Sequence, residues 1–362
     1  MLCLPGAATA PLSIFSFDMY ERRKIPNQPF PRIFLIVGAA VFVSLIAIEF
    51  HAKQRHLEPS RELNMGFWQN HRFMLDDQPE DRTVLFGASR MTFGLDLKTW
   101  NEAAGETAYN LGMHGASSLP MLHDYALNTE GNGKVLCTIS GGFTFAQPPV
   151  PFAARITGAM KDLEKNRYSL ALRSQHLTGK YLQAKFSALN PRVYSPVELL
   201  RESVRFSTRP NEIAWFHTPY SVLHTEDNQD IYIDDLSDPY DMRQWDIMHQ
   251  TALRYMERFE PRDLEEAISQ INSDVALIEG RGGEVIFVRF PVSRFFKEWE
   301  NERFPRQNYW DKIIQKTECR GFHYLDYEKT KNLFPPDGSH LMPKEARIFT
   351  RELARFVFKK KD

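Results

Sequence analysis

Residues 33–48, IFLIVGAAVFVSLIAI, run without a single charge, and this constrains the chain more than any other feature. With Phe30 and Phe50 as flanks the span is about 21 residues, which at roughly 1.5 Å per residue matches the hydrocarbon core of a bilayer. A segment apolar all round, placed after ERRK and before a polar stretch, argues for a membrane span over the core helix of a soluble domain. A cleaved signal peptide would carry a shorter apolar region and a small-x-small site, and IEFHAKQ offers no such site. We therefore expect a cytoplasmic tail at 1–31, an uncleaved single-pass signal anchor at 32–50 and a connector at 51–80. Met19 is an alternative start that would leave an ordinary basic leader. Arg22, Arg23, Lys24 and Arg32 before the span face Lys53, Arg55 and Arg61 after it, so charge alone orients it weakly. Large domains translocate largely regardless of flanking charge, and we expect the bulk of the chain outside the cytoplasm.

Within the connector, Leu63, Phe67, His71 and Met74 fall at helical spacing. Then the pattern changes to short apolar runs bounded by glycine or polar residues. These are TVLFG at 83–87, TAYNLG at 107–112, KVLCTIS at 134–140, EVIFVRF at 284–290 and FHYLDY at 322–327. Each is strand-sized and apolar on both faces, as a parallel strand between helix layers must be. Helical patterns alternate with them. One at 262–279 sets Leu264, Ile268, Ile271, Val275 and Ile278 on a stripe and stops at Gly280. Another at 343–358 starts at Pro343 and lays Ala346, Phe349, Leu353 and Phe356 along one side. This alternation predicts an α/β fold with a mostly parallel sheet over 81–362, and ligands in such sheets sit beyond the carboxyl ends of the strands.

More than a hundred residues separate the third and fourth strands, too many for one crossover, so about 150–250 reads as an insertion. Its basic amphipathic part covers 155–190. Its acidic, aromatic part, 224–246, reads either as a solvated loop or as a lid presenting Tyr220, Tyr232, Tyr240 and Trp245 to a polymeric substrate. The run lacks the glycine and ligand periodicity of a calcium loop. A net charge of -1 gives no electrostatic case for nucleic acid. Cys3, Cys137 and Cys319 form no CxxC pair; Cys137 reads as a buried thiol, with a bridge to Cys319 as the alternative. His123, His217, His224 and His249 show no metal-ligand spacing, and we expect neither metal nor cofactor.

Three segments could carry chemistry. Ser89 follows a strand and a glycine, and reads either as the cap of a helix or as a nucleophile at the end of a strand. Met91 replaces the second glycine of a G-x-S-x-G elbow. FPPDGSHLMPKEA offers Asp337 and His340 three residues apart in one loop before the last helix, either a plain turn or an acid and a base delivered together. YNLGMHGAS, at 109–117, has Gly112 and Gly115 placed to turn tightly and aim backbone N–H groups at a ligand. Arg289 ends the fourth strand, where it either reaches the crevice or makes a structural ion pair.

Together G-x-S after the first strand, N-x-G-x-x-G-x-S after the second and D-x-x-H before the final helix resemble the ordered blocks of SGNH, or GDSL-type, hydrolases. The resemblance covers about 81–145 and 280–358. Within that family it looks closer to the membrane-anchored, extracytoplasmic branch represented by the D-alanyl transfer and alginate O-acetylation proteins. It implies a three-layer α/β/α sandwich with flavodoxin-like strand order 2-1-3-4-5, in which strands three and five are not neighbours; that disfavours the Cys137–Cys319 bridge. It further implies Ser89 as nucleophile, His340 as general base and then acid, and Asp337 as the group orienting the imidazole. The N–H groups of Ser89 and Gly115 would hold the oxyanion. Arg90, Asn110, Gly112, His114 and Arg289 are the implied substrate contacts. The implied function is a serine esterase or O-acyltransferase on acyl esters of a cell-surface or exported polysaccharide. The domain would face the periplasm or exterior from the inner membrane, with a membrane-bound O-acyltransferase as a partner. A non-catalytic assembly protein of the same fold is the alternative.

Two positions depart from the family pattern. Gly-Asp-Ser-Leu here reads Gly87-Ala88-Ser89-Arg90, and the third block reads ISGGFTFAQ, with Phe143 near the place of the usual asparagine oxyanion donor. Losing one such donor typically costs on the order of a hundred- to a thousandfold in rate. Ser140, Gln147 and Arg90 are the nearby candidates to replace it.

Overall fold

A computed structural model describes residues 29–54, 58–61, 64–145, 151–167, 169–190, 222–232, 239–257 and 261–359. The N-terminal tail with Cys3 and Met19, together with Arg55, Leu63, Gln147, His217 and Tyr220, lies outside these residues. The chain divides into two units, Met1–Ile48 and Glu49–Asp362. In the first, the apolar run belongs to a helix, Phe30–Gln54, long and apolar enough to cross a membrane, with Phe34, Leu35 and Ile36 exposed.

The second unit is built on a parallel five-stranded sheet. Its strands are β1 Val84–Phe86, β2 Tyr109–Asn110, β3 Lys134–Thr138, β6 Glu284–Arg289 and β7 Arg320–His323. They lie in the order β2-β1-β3-β6-β7, with Val84 opposite both Tyr109 and Val135. A separate hairpin pairs β4 Val222–His224 with β5 Asp230–Tyr232.

Because successive side chains in a strand point to opposite faces, the apolar runs feed two cores. Val84, Phe86, Val135, Cys137, Val285 and Phe287 meet one set of helices, including Leu119–Asn128, Leu264–Gly280 and Trp310–Thr317. Leu85, Leu136, Ile286, Val288 and Phe322 meet the opposite set, chiefly Leu97–Ala104 and Pro343–Phe358. The two helical stripes behave as expected: Ile268, Ile271, Val275 and Ile278 are buried, as are Ala346, Phe349 and Leu353. The first helix continues through Gly280 and turns at Gly282, whose φ is +94°. Cys137 and Cys319 are free and buried in the same core, and burial pushes their thiols up to about 12 and about 11.

Part of the 51–80 stretch, read as a connector with helical spacing, is a helix. Residues 65–75 form a helix, Met65–Leu75, capped by Asn64, and Trp68 and Leu75 enter the core. The Trp68 indole donates to the Leu111 carbonyl at 2.9 Å, fixing this helix against the end of β2. Sequence spacing had pointed to Phe67, His71 and Met74; Phe67 and His71 are buried, whereas Met74 is exposed.

A buried charge cluster ties the sheet to the segment that follows β1. Glu300, 3% exposed, pairs with Arg90 at 2.8 Å and also with Arg289. Burial opposes its ionisation, but the two guanidiniums outweigh that and hold it below the usual carboxylate range. Glu300→Ala would strand two arginines inside the protein. It is expected to lower unfolding stability by about 3–5 kcal/mol, read from a denaturant titration against wild type.

Candidate active site

β1 ends at Phe86, and the chain turns through Gly87 and Ala88 into a short helix, Ser89–Gly94. A Cβ at Gly87 would stand 2.2 Å from Thr138 Oγ1 on β3, so the turn requires glycine there. The cap position is Ala88, in extended backbone and without a side-chain bond, so Ser89 does not cap the helix. Its hydroxyl lies 2.7 Å from His340 Nε2. His340 Nδ1 lies 2.6 Å from Asp337 Oδ2. With a carboxylate on Nδ1, that nitrogen carries the proton, and the Nε2 lone pair faces Ser89.

Asp337 is completely buried and fully bonded. Its Oδ1 accepts the N–H groups of Ser339 at 2.9 Å and His340 at 2.7 Å, and Oδ2 also accepts the Tyr232 hydroxyl at 2.9 Å. Burial alone would raise its pKa. The charge and hydrogen bond of His340, then His249 and the His340 amide, prevail and hold it well below the usual carboxylate range. The loop is pinned from β6's side: Ser293 donates its hydroxyl to the Pro335 carbonyl and its N–H to the Gly338 carbonyl. Around the His340 ring stand Phe93 at 4.4 Å, Trp245 at 5.0 Å and His249 at 5.5 Å.

The glycine loop lies beside the Gly87–Ser89 turn because Met113 N–H donates to the Gly87 carbonyl at 2.9 Å. Gly115 has φ +65°, a left-handed conformation that favours glycine. Among the described residues, neither the Ser89 nor the Gly115 amide has an acceptor. Gly112 is different: its N–H donates to Asn110 Oδ1 at 2.9 Å. Asn110 also exchanges bonds with Asn228, whose Nδ2 donates to the Asn110 and Gly112 carbonyls at 3.0 and 2.7 Å. Asn110 and Gly112, expected to contact substrate, latch the β4–β5 turn to the end of β2. His114 is partly exposed, with Nε2 2.7 Å from the buried Asp230 Oδ2 and 3.2 Å from Thr92 Oγ1.

Arg90 is 3% exposed, its Nε donates to Ser339 Oγ at 3.1 Å, and its guanidinium sits 5.3 Å over the Phe296 ring beside Glu300. The helix turn carries position 90 inward, where it staples the Ser89 segment to the 337–340 loop. Arg289 makes the structural ion pair with Glu300 and donates to the Ile139 carbonyl at 3.1 Å. Of the candidate replacements for the missing asparagine, Arg90 is engaged as described. The Ser140 N–H donates to Thr144 Oγ1 at 2.8 Å.

The insertion contributes more than a solvated loop. β5 supplies Tyr232 and Asp230, and the helix Pro239–Met256 supplies Trp245 and His249, whose Nδ1–H donates to the Asp337 carbonyl at 3.2 Å. Tyr232 and Trp245 therefore pack behind the histidine instead of forming a lid; the side chain of Tyr240 is not among those described. The sequence signal for this hairpin was available: VLH and DIY flank TEDNQ, and Asn228 at the turn has φ +57°. His249, Asp337 and His340 place ligand-type atoms within 4.8 Å of one another. Both His340 nitrogens and both Asp337 oxygens are already engaged in hydrogen bonds, which fits a proton relay better than a metal centre.

Burial holds His71 down to about 4 and His249 and His323 down to about 3, all below the ordinary 6.5. The unfolded chain therefore binds more protons between those limits. This part of the stability is complete above about pH 6.5 and is lost as pH falls, by up to about 1.4 kcal/mol per pH unit for each histidine. Denaturant midpoints taken between about pH 7 and about pH 4 are expected to fall steeply, and a flat profile would contradict the burial of these rings.

No protein-family model matches the chain, and no curated protein matches it.

Proposed function

We propose that the chain is a membrane-anchored, SGNH-type serine esterase or O-acyltransferase acting outside the cytoplasm on acyl esters of a cell-surface or exported polysaccharide. One observation carries this reading: Ser89 Oγ, the His340 ring and Asp337 lie in one hydrogen-bonded line, at 2.7 and 2.6 Å, from segments far apart in sequence. The strand order and the helices on both sheet faces are those expected of the family's sandwich.

Ser89 Oγ attacks the ester carbonyl carbon while His340 Nε2 takes its proton, and Asp337 steadies the imidazolium through Nδ1–H. The oxyanion rests on the amides of Ser89 and Gly115. Collapse of the tetrahedral species breaks the ester C–O bond, and His340 protonates the departing alcohol, leaving an acyl-serine. Water then completes hydrolysis, or a sugar hydroxyl completes transfer, with His340 again accepting the proton of the attacking group.

A fluorophosphonate, which phosphonylates activated serines, tests this. Labelling of the wild-type chain and its absence in Ser89→Ala supports the reading; a folded wild-type chain that resists the reagent at high concentration overturns it. A second reading, a non-catalytic assembly protein of this fold that holds a glycan or a membrane-bound O-acyltransferase partner, draws on the two-amide oxyanion site. Resistance to the reagent together with retained glycan binding would favour it.

A further inference from the structure

The glycine loop contains a turn with two conformations open to it. The Ala116 N–H donates to the Met113 carbonyl at 3.0 Å, which closes a four-residue turn with His114 and Gly115 at its centre. Of those two residues Gly115 alone has a positive φ, +65°, the pattern of a type II turn. A type I turn differs by a flip of the central peptide, which reverses the direction of its carbonyl and its N–H. Glycine at the third position accepts either form, because it populates positive and negative φ about as readily. The sequence of the turn therefore leaves open which way the Gly115 N–H points.

A side chain from the insertion settles the direction. Arg155 Nη1 donates to the His114 carbonyl at 3.0 Å, and that carbonyl belongs to the same planar peptide unit as the Gly115 N–H. Arg155 lies on the helix Pro151–Lys161, whose Ile156 and Ala159 are buried in the core. Gln69 Nε2 donates to the Ala159 carbonyl at 2.8 Å and ties this helix to Met65–Leu75. Burial alone shifts the pKa of Arg155, downward, and no carboxylate among the described residues offsets this. Its charge is thus directed at the His114 carbonyl without a competing anion.

We propose that Arg155 is a positioning residue of the oxyanion site, holding the His114–Gly115 peptide in the type II plane and strengthening the Gly115 N–H as a donor. A carbonyl that accepts a charged donor polarises its own peptide, and the N–H at the other end becomes a better donor for negative charge. This offsets part of what the absent asparagine donor would supply. The proposal rests on the reading of Ser89 as nucleophile and of the Gly115 amide as oxyanion donor.

Arg155→Met and Arg155→Lys in the full chain in detergent test it, with a chromogenic short acyl ester as substrate and a trifluoromethyl ketone of the same acyl chain as inhibitor. Addition of Ser89 Oγ to the ketone carbon gives a tetrahedral oxyanion on the same amides. Removing a whole donor costs on the order of a hundred- to a thousandfold, so losing a residue that aims and strengthens one is expected to cost about tenfold in kcat. In the Met variant KM is expected to stay within about twofold, while the ketone binds about tenfold more weakly. The Lys variant keeps the charge and is expected to recover about threefold of the loss. Arg155 is exposed, so neither change opens the core.

A Met variant with wild-type kcat overturns the proposal. So does a loss confined to KM, which would make Arg155 a substrate contact, or a Lys variant no better than Met, which would make the contact purely structural. A fall in kcat with unchanged ketone affinity overturns it as well. In each of these results the wild-type chain still turns over the ester and takes the fluorophosphonate, so the Ser89 reading stands. A wild-type chain that does neither removes that reading, and the role of Arg155 with it.

Discussion

Ser89→Ala is expected to leave a folded chain whose ester turnover falls on the order of 10^4- to 10^6-fold. The substitution removes one oxygen at the first position of a helix whose cap is Ala88, so no capping bond is lost. Alanine is the best helix former, and a stability change within about 0.5 kcal/mol is expected. What disappears is the oxygen bonded to His340 Nε2. The measurement is release of a chromogenic alcohol from a short acyl ester by matched wild-type and variant preparations in the same detergent. Equal rates in the two would mean that any esterase activity comes from elsewhere, and the assignment of Ser89 would fall.

Asp337→Asn is the more discriminating variant, because it leaves the loop intact. The Asn carbonyl oxygen can still accept the N–H groups of Ser339 and His340, which define the turn. The amide NH2 then replaces the oxygen that faces both Tyr232 and His340 Nδ1. An NH2 there donates to Nδ1 and drives the ring proton to Nε2, where it blocks acceptance of the Ser89 proton. A loss on the order of 10^4-fold in kcat with little change in KM is the expected result. The linkage has a sign as well. The wild-type carboxylate, held below its ordinary pKa, adds stability that is present above its unfolded pKa and lost as pH falls toward the folded one; the asparagine variant lacks that acid-side dependence. Unchanged kcat in Asp337→Asn would show that the carboxylate does not orient the base.

Much of this was legible in the chain, and what escaped has a physical reason. The parallel strands declared themselves because VLF, KVLCT and EVIFVR are apolar on both faces, and a strand buried on both sides has no other option. Ser89, Asp337 and His340 were legible because each sits at a strand end or in a loop marked by glycine. The partner of Arg90 was not legible, because the helix turn carries it toward Glu300, which lies far away in sequence. The partner of Asn110 and Gly112 was hidden for the same reason, since Asn228 closes their bonds from within the insertion. Tyr232 and His249 could not be assigned from spacing, because their partner is the Asp337 loop and that contact spans the whole fold.

The separation of the relay along the chain also sets an order of events during synthesis. Ser89 and its helix are made early, with β1 and β2, while His340 lies 251 residues later. Tyr232 and His249 lie between them in sequence, so the residues that bond to Asp337 are made before it. Only once the 337–340 loop has been made can the Ser89 hydroxyl gain its His340 partner.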